Sequence, residues 1–347
     1  MQQHTLWILL DSSKTGGIET HVAQLSTALR NHYKVEVIFI KDHGDHPLKD
    51  FLKKNQVSYS HLENGFNSLL KRCADESPSI MHTHGYKAGI FGRIAGKLSG
   101  VPVVSSYHSG EPPKGKLRLY DLIDRYTGFL AKNRIAISKE IQQRLVGKST
   151  IIRNFVSLPE QLSTGDHIAF VGRLSEEKGA DRILTIAKQL PNVTFHIYGD
   201  GPEKEALTEN APSNVIFHGN QSNMNAIWPL IGLVLMPSRY EGLPMAALEA
   251  MSYGIPVIAS PVGELPELLE KKRGWICDPN NVLSWVIQIK AFSRMNRTER
   301  KTSSHKVRDH IAEHYSANAI TPILRDCYNN LLPSQTATQA AQSSQSA

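Results

Sequence analysis

The sequence predicts an α/β protein made of two doubly wound, Rossmann-like domains facing each other across a cleft, and three observations support this. Short β-branched or apolar runs alternate with amphipathic helical stretches along nearly the whole chain. That alternation stops at a polar segment and then begins again. At 347 residues the chain exceeds what one ordinary core accommodates, so two domains of ~100–200 residues are expected.

In the first half, runs 5–10, 35–40 and 80–83 alternate with helical stretches 18–30, 47–54 and 88–98, and the pattern continues through 101–107, a helical 116–131, 134–137 and 140–146. Strands separated by helices of this length form a parallel sheet covered on both faces. The run 151–156 yields to 157–166, a polar segment with Pro159 and Gly165 that reads as a linker. A first domain is therefore set at 1–156. The second alternation has 167–171, 180–190, 193–198, 203–209, 215–217, 224–231 and 233–236, followed by 257–259, 264–269, 275–277 and 282–292. It defines a domain over 157–314. Residues 298–332 read as helix without a further strand, and the tail 333–347 lacks apolar periodicity and is expected to be disordered.

Composition narrows the class. Cys73, Cys277 and Cys327 are odd in number, far apart and without metal-ligand spacing, which fits a reduced, cytoplasmic setting. The opening apolar run Leu6–Leu10 is too short for a secretory core or a membrane span. A net charge of +7 points to an anionic partner. Nucleic acid is not expected, because aromatic residues do not interleave with the cations as a stacking platform requires.

The chain is organised around residues 237–269. The buried-strand run 233–236 passes through Glu241-Gly242-Leu243-Pro244 into a helix with Leu248 and Met251 on one side. Such a junction leaves N–H groups unpaired and points the positive end of the helix dipole outward, which suits a phosphate. Glu241 and Glu249 lie eight positions apart, roughly two turns at ~1.5 Å rise per residue. Two acids so placed fit a diphosphate between two hydroxyl-rich groups, as in a nucleotide sugar; alternatively, one caps the helix and the other is solvated.

Other strand-to-helix junctions repeat the theme. Gly16 and Gly17 stand before helix 18–30, where backbone can approach a phosphate or sugar without a side chain in the way. Arg173 and Lys178 sit between Gly172 and Gly179 on the loop leaving run 167–171, where a planar fork and a compact charge can neutralise a diphosphate. Gly199 opens a further glycine-rich turn toward the same cleft edge. His84 and His108 follow two strands of the first domain and can donate to a sugar hydroxyl or stabilise charge near the reacting carbon.

His310-Ile-Ala-Glu-His314 matches a zinc pattern but has no evident third ligand. No Asp-x-Asp pair occurs, so a nucleotide gripped through carboxylate-held Mg²⁺ is disfavoured and no metal is expected. The segment 114–134 mixes cations with Leu117, Leu119, Tyr120, Leu122 and Ile123. It reads either as a basic amphipathic helix on an anionic membrane surface or as a core-packed helix with a charged outer face.

Gly16-Gly17-Ile18-Glu19, the loop 172–179, Tyr198-Gly199-Asp200-Gly201-Pro202, the stretch 241–251 and Gly254-Ile255-Pro256-Val257-Ile258-Ala259 resemble, in that order, the retaining glycosyltransferases with the GT-B fold. That family includes bacterial lipopolysaccharide-core, capsule and phosphatidylinositol mannosyl transferases. The resemblance implies transfer of a sugar from a UDP- or GDP-linked nucleotide diphosphate sugar to a hydroxyl of an acceptor glycan or glycolipid. It further implies retained configuration, no cofactor or metal, and a last helix, about 315–332, that crosses back to the first domain.

By the same resemblance Arg173 and Lys178 hold the diphosphate, Glu249 the ribose and Glu241 the donor sugar. The N–H groups of Met245 and Ala246 add phosphate contacts, Gly17 meets the donor from the opposite domain, and His108 lies near the transferred sugar. One departure is Leu243-Pro244 where many members read Phe-Gly, and proline removes an N–H donor. A bacterial envelope acceptor, with the protein peripheral on the inner face of the cytoplasmic membrane, is the expected setting. A nucleotide-sugar epimerase or phosphorylase on the same architecture, and a non-catalytic nucleotide-binding protein, are the alternatives.

Overall fold

All strand pairs among the described residues are parallel, and they form two separate sheets. The computed structural model describes residues 3–13, 16–108, 115, 117–221 and 223–332. Ser109 and Gly110 beside His108, Lys114 and Lys116 of the basic segment, and the tail 333–347 lie outside the described residues.

The first unit runs β1 (Thr5–Leu10), α1 (Gly17–Leu29), β2 (Lys34–Phe39), α2 (Pro47–Lys54), β3 (Ser58–His61), α3 (Gly65–Glu76), β4 (Ile80–His84), α4 (Tyr86–Ser99), β5 (Val103–Tyr107), α5 (Leu117–Tyr126), β6 (Asn133–Ala136), α6 (Lys139–Arg144) and β7 (Thr150–Ile151). Its strand order is β3-β2-β1-β4-β5-β6-β7. Successive residues of β1 alternate between the two faces. Leu6, Ile8 and Leu10 join one core cluster, while Trp7 and Leu9 join the other. A strand buried on both sides needs the unbroken apolar run seen there.

The second unit runs β8 (His167–Val171), α7 (Ala180–Lys188), β9 (Phe195–Tyr198), α8 (Lys204–Glu209), β10 (Val215–Gly219), β11 (Ile231–Met236), α9 (Met245–Ser252), β12 (Val257–Ala259), α10 (Leu265–Leu269), β13 (Gly274–Ile276), α11 (Val282–Arg294) and α12 (Arg297–His314), followed by α13 (Ala317–Asn329). Its order is β10-β9-β8-β11-β12-β13. The predicted α/β class, with two doubly wound parallel sheets, is the fold observed.

Three local differences have physical causes. The strand β3 and helix α3 escaped the sequence pattern because Ser58-Tyr59-Ser60-His61 is an outer strand with no buried residue, and α3 buries only Leu69 and Cys73. The stretch 224–231 forms two 3-10 turns, Met224–Ala226 and Trp228–Leu230, where Pro229 precludes a regular helix. The long helical stretch 298–332 is broken at Tyr315 and Ser316, because the chain there leaves one unit for the other. Val156 donates to Tyr315 O at 2.9 Å, Ala317 donates to Val156 O at 3.0 Å, and the Ser316 hydroxyl caps the new helix on Ala319 N at 3.2 Å. Helix α13 then packs Ile320, Leu324 and Tyr328 into the first core, beside Tyr33 and Val35.

Candidate active site

Strand order reverses between β1 and β4 in one sheet and between β8 and β11 in the other. Crevices at the carboxyl ends of the strands beside such a reversal are where open α/β sheets bind ligands. Gly16 and Gly17 leave β1 and His84 ends β4 at the first reversal. The loops 172–179 and 237–244 leave β8 and β11 at the second. Across the cleft the first turns of α1 and α9 approach closely: a Cβ on Gly17 would stand 4.0 Å from Met245 Cγ.

Helix α9 starts from Pro244, which is its extended N-terminal cap. Ala247 and Leu248 donate to Pro244 O at 3.2 and 3.3 Å, whereas Met245 and Ala246 donate to no backbone carbonyl among the described residues. Proline therefore leaves the first turn's donors intact, because it stands outside that turn. Loop 237–244 is held from both sides. Arg239 donates its N–H to Glu177 O at 2.7 Å and pairs with Asp181, also at 2.7 Å. Leu243 O accepts from Asn154 Nδ2 of the first unit at 2.8 Å, and a Cβ on Gly242 would stand 3.3 and 3.4 Å from Ile141 and Ile137.

Lys178 and Glu241, 63 residues apart, are brought together. Lys178 Nζ lies 2.9 and 2.8 Å from the two Glu241 oxygens, and Ser238 Oγ donates to Oε1 at 2.8 Å. Glu241 is only 6% exposed, so this cation and hydroxyl make its charge tolerable in the loop. Arg173 is exposed, and its guanidinium has no ion pair or hydrogen bond among the described residues. Gly199 packs on this loop: it has φ +141, and a Cβ would stand 1.9 Å from Gly172 O, so only glycine lets the two turns meet. Glu249 is half-buried farther along α9 and accepts from Trp228 Nε1 at 3.2 Å. Burial pushes its carboxyl up to about 7, and the Trp228 hydrogen bond opposes that rise.

On the facing side four histidines cluster. His84 Nδ1 lies 3.0 Å from His108 Nε2, and the His21 ring on α1 is 4.8 Å from that of His108 and 5.4 Å from that of His84. His82 packs at a tilt against His84, ring centroids 4.3 Å apart, and hydrogen-bonds with Tyr328 OH at 2.7 Å and Ser106 Oγ at 2.8 Å. Burial holds His21 down at about 4 and His82 at about 3; burial and the neighbouring imidazoles put His84 and His108 well below the usual range. All four are neutral at pH 7. His21 was not singled out from sequence, although its place one helical turn after Gly17 was an available cue.

The two units are clasped beside the cleft. Lys139 donates its backbone N–H to Glu264 Oε1 at 2.8 Å and its ammonium to Glu267 at 2.7 Å, and Arg153 bridges to Glu267 at 2.5 Å and Glu264 at 3.4 Å.

A family model for glycosyl transferases group 1 matches residues 152–308, and one for glycosyltransferase family 4 matches residues 15–158. The chain is 24% identical over 318 residues to the lipopolysaccharide 1,6-galactosyltransferase of Escherichia coli K12, covering 80% of this chain and 85% of that protein. It is 25% identical over 298 residues to sulfoquinovosyl transferase SQD2 of Arabidopsis thaliana, covering 74% of this chain but spanning only 58% of the plant protein. In structure it is similar to Anabaena Alr3699/HepE in complex with UDP-glucose, with a TM-score of 0.83 at 18% identity over 94% of this chain and 99% of that one. One family model thus covers each unit, glycosyltransferase family 4 on the first and glycosyl transferases group 1 on the second, and the two units are arranged as in the GT-B glycosyltransferases that the chain is similar to in structure.

Proposed function

We propose that this glycosyltransferase moves a sugar from a UDP- or GDP-linked donor to a hydroxyl of an envelope glycan or glycolipid, with retained configuration and by a metal-independent transfer step. The Lys178–Glu241 pair carries the reading: it is fixed at 2.8 Å on the loop that feeds the first turn of α9, opposite Gly17. Negative charge grows on the diphosphate as the glycosidic bond breaks. Lys178, Arg173 and the N–H groups of Met245 and Ala246 stabilise that charge, and preplaced donors act best in a site from which water is excluded. Glu241 orients Lys178 and the donor sugar, Glu249 takes the ribose hydroxyls, and His108, backed by His84, stands on the acceptor side. The names of relatives support the donor class: HepE is described with UDP-glucose, and an Escherichia coli relative is a UDP-Gal galactosyltransferase acting on a diphosphoundecaprenol-linked sugar.

The test is a panel of nucleotide sugars read by thermal shift, followed by nucleotide release with and without acceptor. A cognate donor at 100 times its Kd raises stability by about 2.7 kcal/mol, and nucleotide release that needs an acceptor hydroxyl distinguishes transfer from epimerisation. If no UDP- or GDP-sugar shifts the melting temperature, the donor assignment fails.

We also propose that the acceptor is met at an anionic membrane surface through α5. No helix among the described residues is long and apolar enough to cross a membrane. Yet α5 turns its apolar side outward: Leu117, Leu119, Tyr120, Leu122, Ile123 and Tyr126 are exposed, followed by Phe129 at 75%, and its buried residue is Asp124. This is the reverse of a core-packed helix, and Arg118, Arg125, Lys132 and Arg134 supply positive charge around it. The protein is expected to co-sediment with phosphatidylglycerol vesicles and less with neutral ones. Leu119→Ser with Phe129→Ser is expected to cut the bound fraction several-fold, and unchanged sedimentation would dispose of the idea.

A further inference from the structure

The histidine cluster contains more nitrogen than the transfer reaction uses. One ring nitrogen from each of His21, His84 and His108 lies within 4.8 Å of the other two. His21 is 5% exposed, yet its Nδ1 has no hydrogen-bond partner among the described residues. Buried polar atoms left unpaired are costly and uncommon. The fourth ring does not share this condition, since both nitrogens of His82 are engaged by Tyr328 and Ser106. Its ring packs at a tilt against His84, with centroids 4.3 Å apart, and helps to hold that imidazole in place.

We propose that His21, His84 and His108 form a three-imidazole site for a borderline divalent transition ion of the Zn²⁺ class, and that an ion bound there withdraws His108 from the sugar. Two Zn–N bonds of about 2.0–2.1 Å at a tetrahedral angle hold their nitrogens about 3.3 Å apart. His84 Nδ1 and His108 Nε2 already stand at 3.0 Å, sharing one proton where an ion would accept both lone pairs. The third ligand comes from α1, and the His21 ring must move inward from a spacing of up to 4.8 Å to complete the site. His108 is only half-buried, so the fourth position opens on the cleft and takes water. Imidazole ligands without carboxylate select Zn²⁺, Cu²⁺ or Ni²⁺ over Mg²⁺ or Ca²⁺.

The full chain is titrated with Zn²⁺ by calorimetry and with Co²⁺ by visible absorption. One equivalent is expected to bind, with the intense spectrum of a tetrahedral cobalt site and no competition from Mg²⁺. His21→Gln and His84→Gln are each expected to weaken binding at least tenfold, while His310→Gln with His314→Gln retains it; that pair, with rings 4.8 Å apart on α12, is the competing site. Loss of binding in the His310/His314 variant with retention in His21→Gln overturns the assignment. So does a wild-type protein with no tetrahedral cobalt spectrum, a result that depends on no variant folding. Only the inhibitory role rests on the reaction proposed above: one bound equivalent with unchanged turnover would keep the site and remove His108 from that reaction.

Discussion

Lys178→Ala is expected to lower kcat for sugar transfer by about 10²- to 10³-fold, the usual cost of deleting one donor that stabilises charge developing in a transition state. The geometry gives the reason for an effect of this size. Lys178 is not a free surface cation; both oxygens of the buried Glu241 and the loop beneath it fix where its charge sits. Pre-organisation of this kind is what lets a fixed cation do in a dry site what a mobile one does poorly in water. Arg173→Ala is expected to show a similar loss with a larger share in donor KM, because the proposed role has its exposed guanidinium engaging only when the diphosphate arrives. Steady-state kinetics at saturating acceptor, with melting temperatures as a control for folding, measure both. If the two variants keep wild-type kinetics, the diphosphate is not held here and the proposed reaction loses its centre.

Arg93→Met is expected to destabilise the protein by about 3–5 kcal/mol, since it strands the carboxylate of Asp124 in the interior. Arg93 is fully buried and Asp124 is 4% exposed, with Nη2 to Oδ1 at 2.6 Å. The same guanidinium donates to Asp124 O at 3.0 Å, Thr127 Oγ1 at 2.8 Å, Ser105 Oγ at 3.2 Å and Tyr107 OH at 3.3 Å. A helix with its apolar side turned outward has little hydrophobic hold on the domain, so this one polar anchor fixes α5 to β5 and α4. Gly89 makes room for it, because a Cβ there would stand 2.6 Å from Asp124 Oδ1. Arg93→Met with Asp124→Leu is expected to recover most of the loss, as replacing a whole buried pair by apolar residues often does. Urea unfolding followed by circular dichroism reads both variants. A loss below about 1 kcal/mol in Arg93→Met would mean the anchor does not hold the helix.

Where the sequence was legible, the reason is periodicity. Strands such as Leu6–Leu10 must be apolar at every position to be buried on two faces, and helices between them must carry an apolar stripe, so the α/β alternation is visible in one dimension. The junction after β11 is visible for a similar reason, because a buried strand, a turn with Gly242 and Pro244 and a helix start follow one another without a gap. Edge elements escape this logic. Nothing in Ser58–His61 has to be apolar, and so β3 and α3 left no trace.

Other features depend on residues distant in the chain. The amphipathic character of α5 was plain, but which side faces the core turned on Arg93 and Asp124, 31 positions apart. The same holds for the histidines, which come from α1, β4 and the end of β5, and for Lys178 with Glu241. Residue order alone determined a chain of two parallel α/β units with phosphate-suited junctions, because local burial and backbone hydrogen bonding write themselves as short-range patterns. Which of those junctions share a cleft, which imidazoles touch and which side of α5 meets water was decided only by tertiary packing, because hydrogen bonds and ion pairs act over a few ångströms of space whatever their separation along the chain.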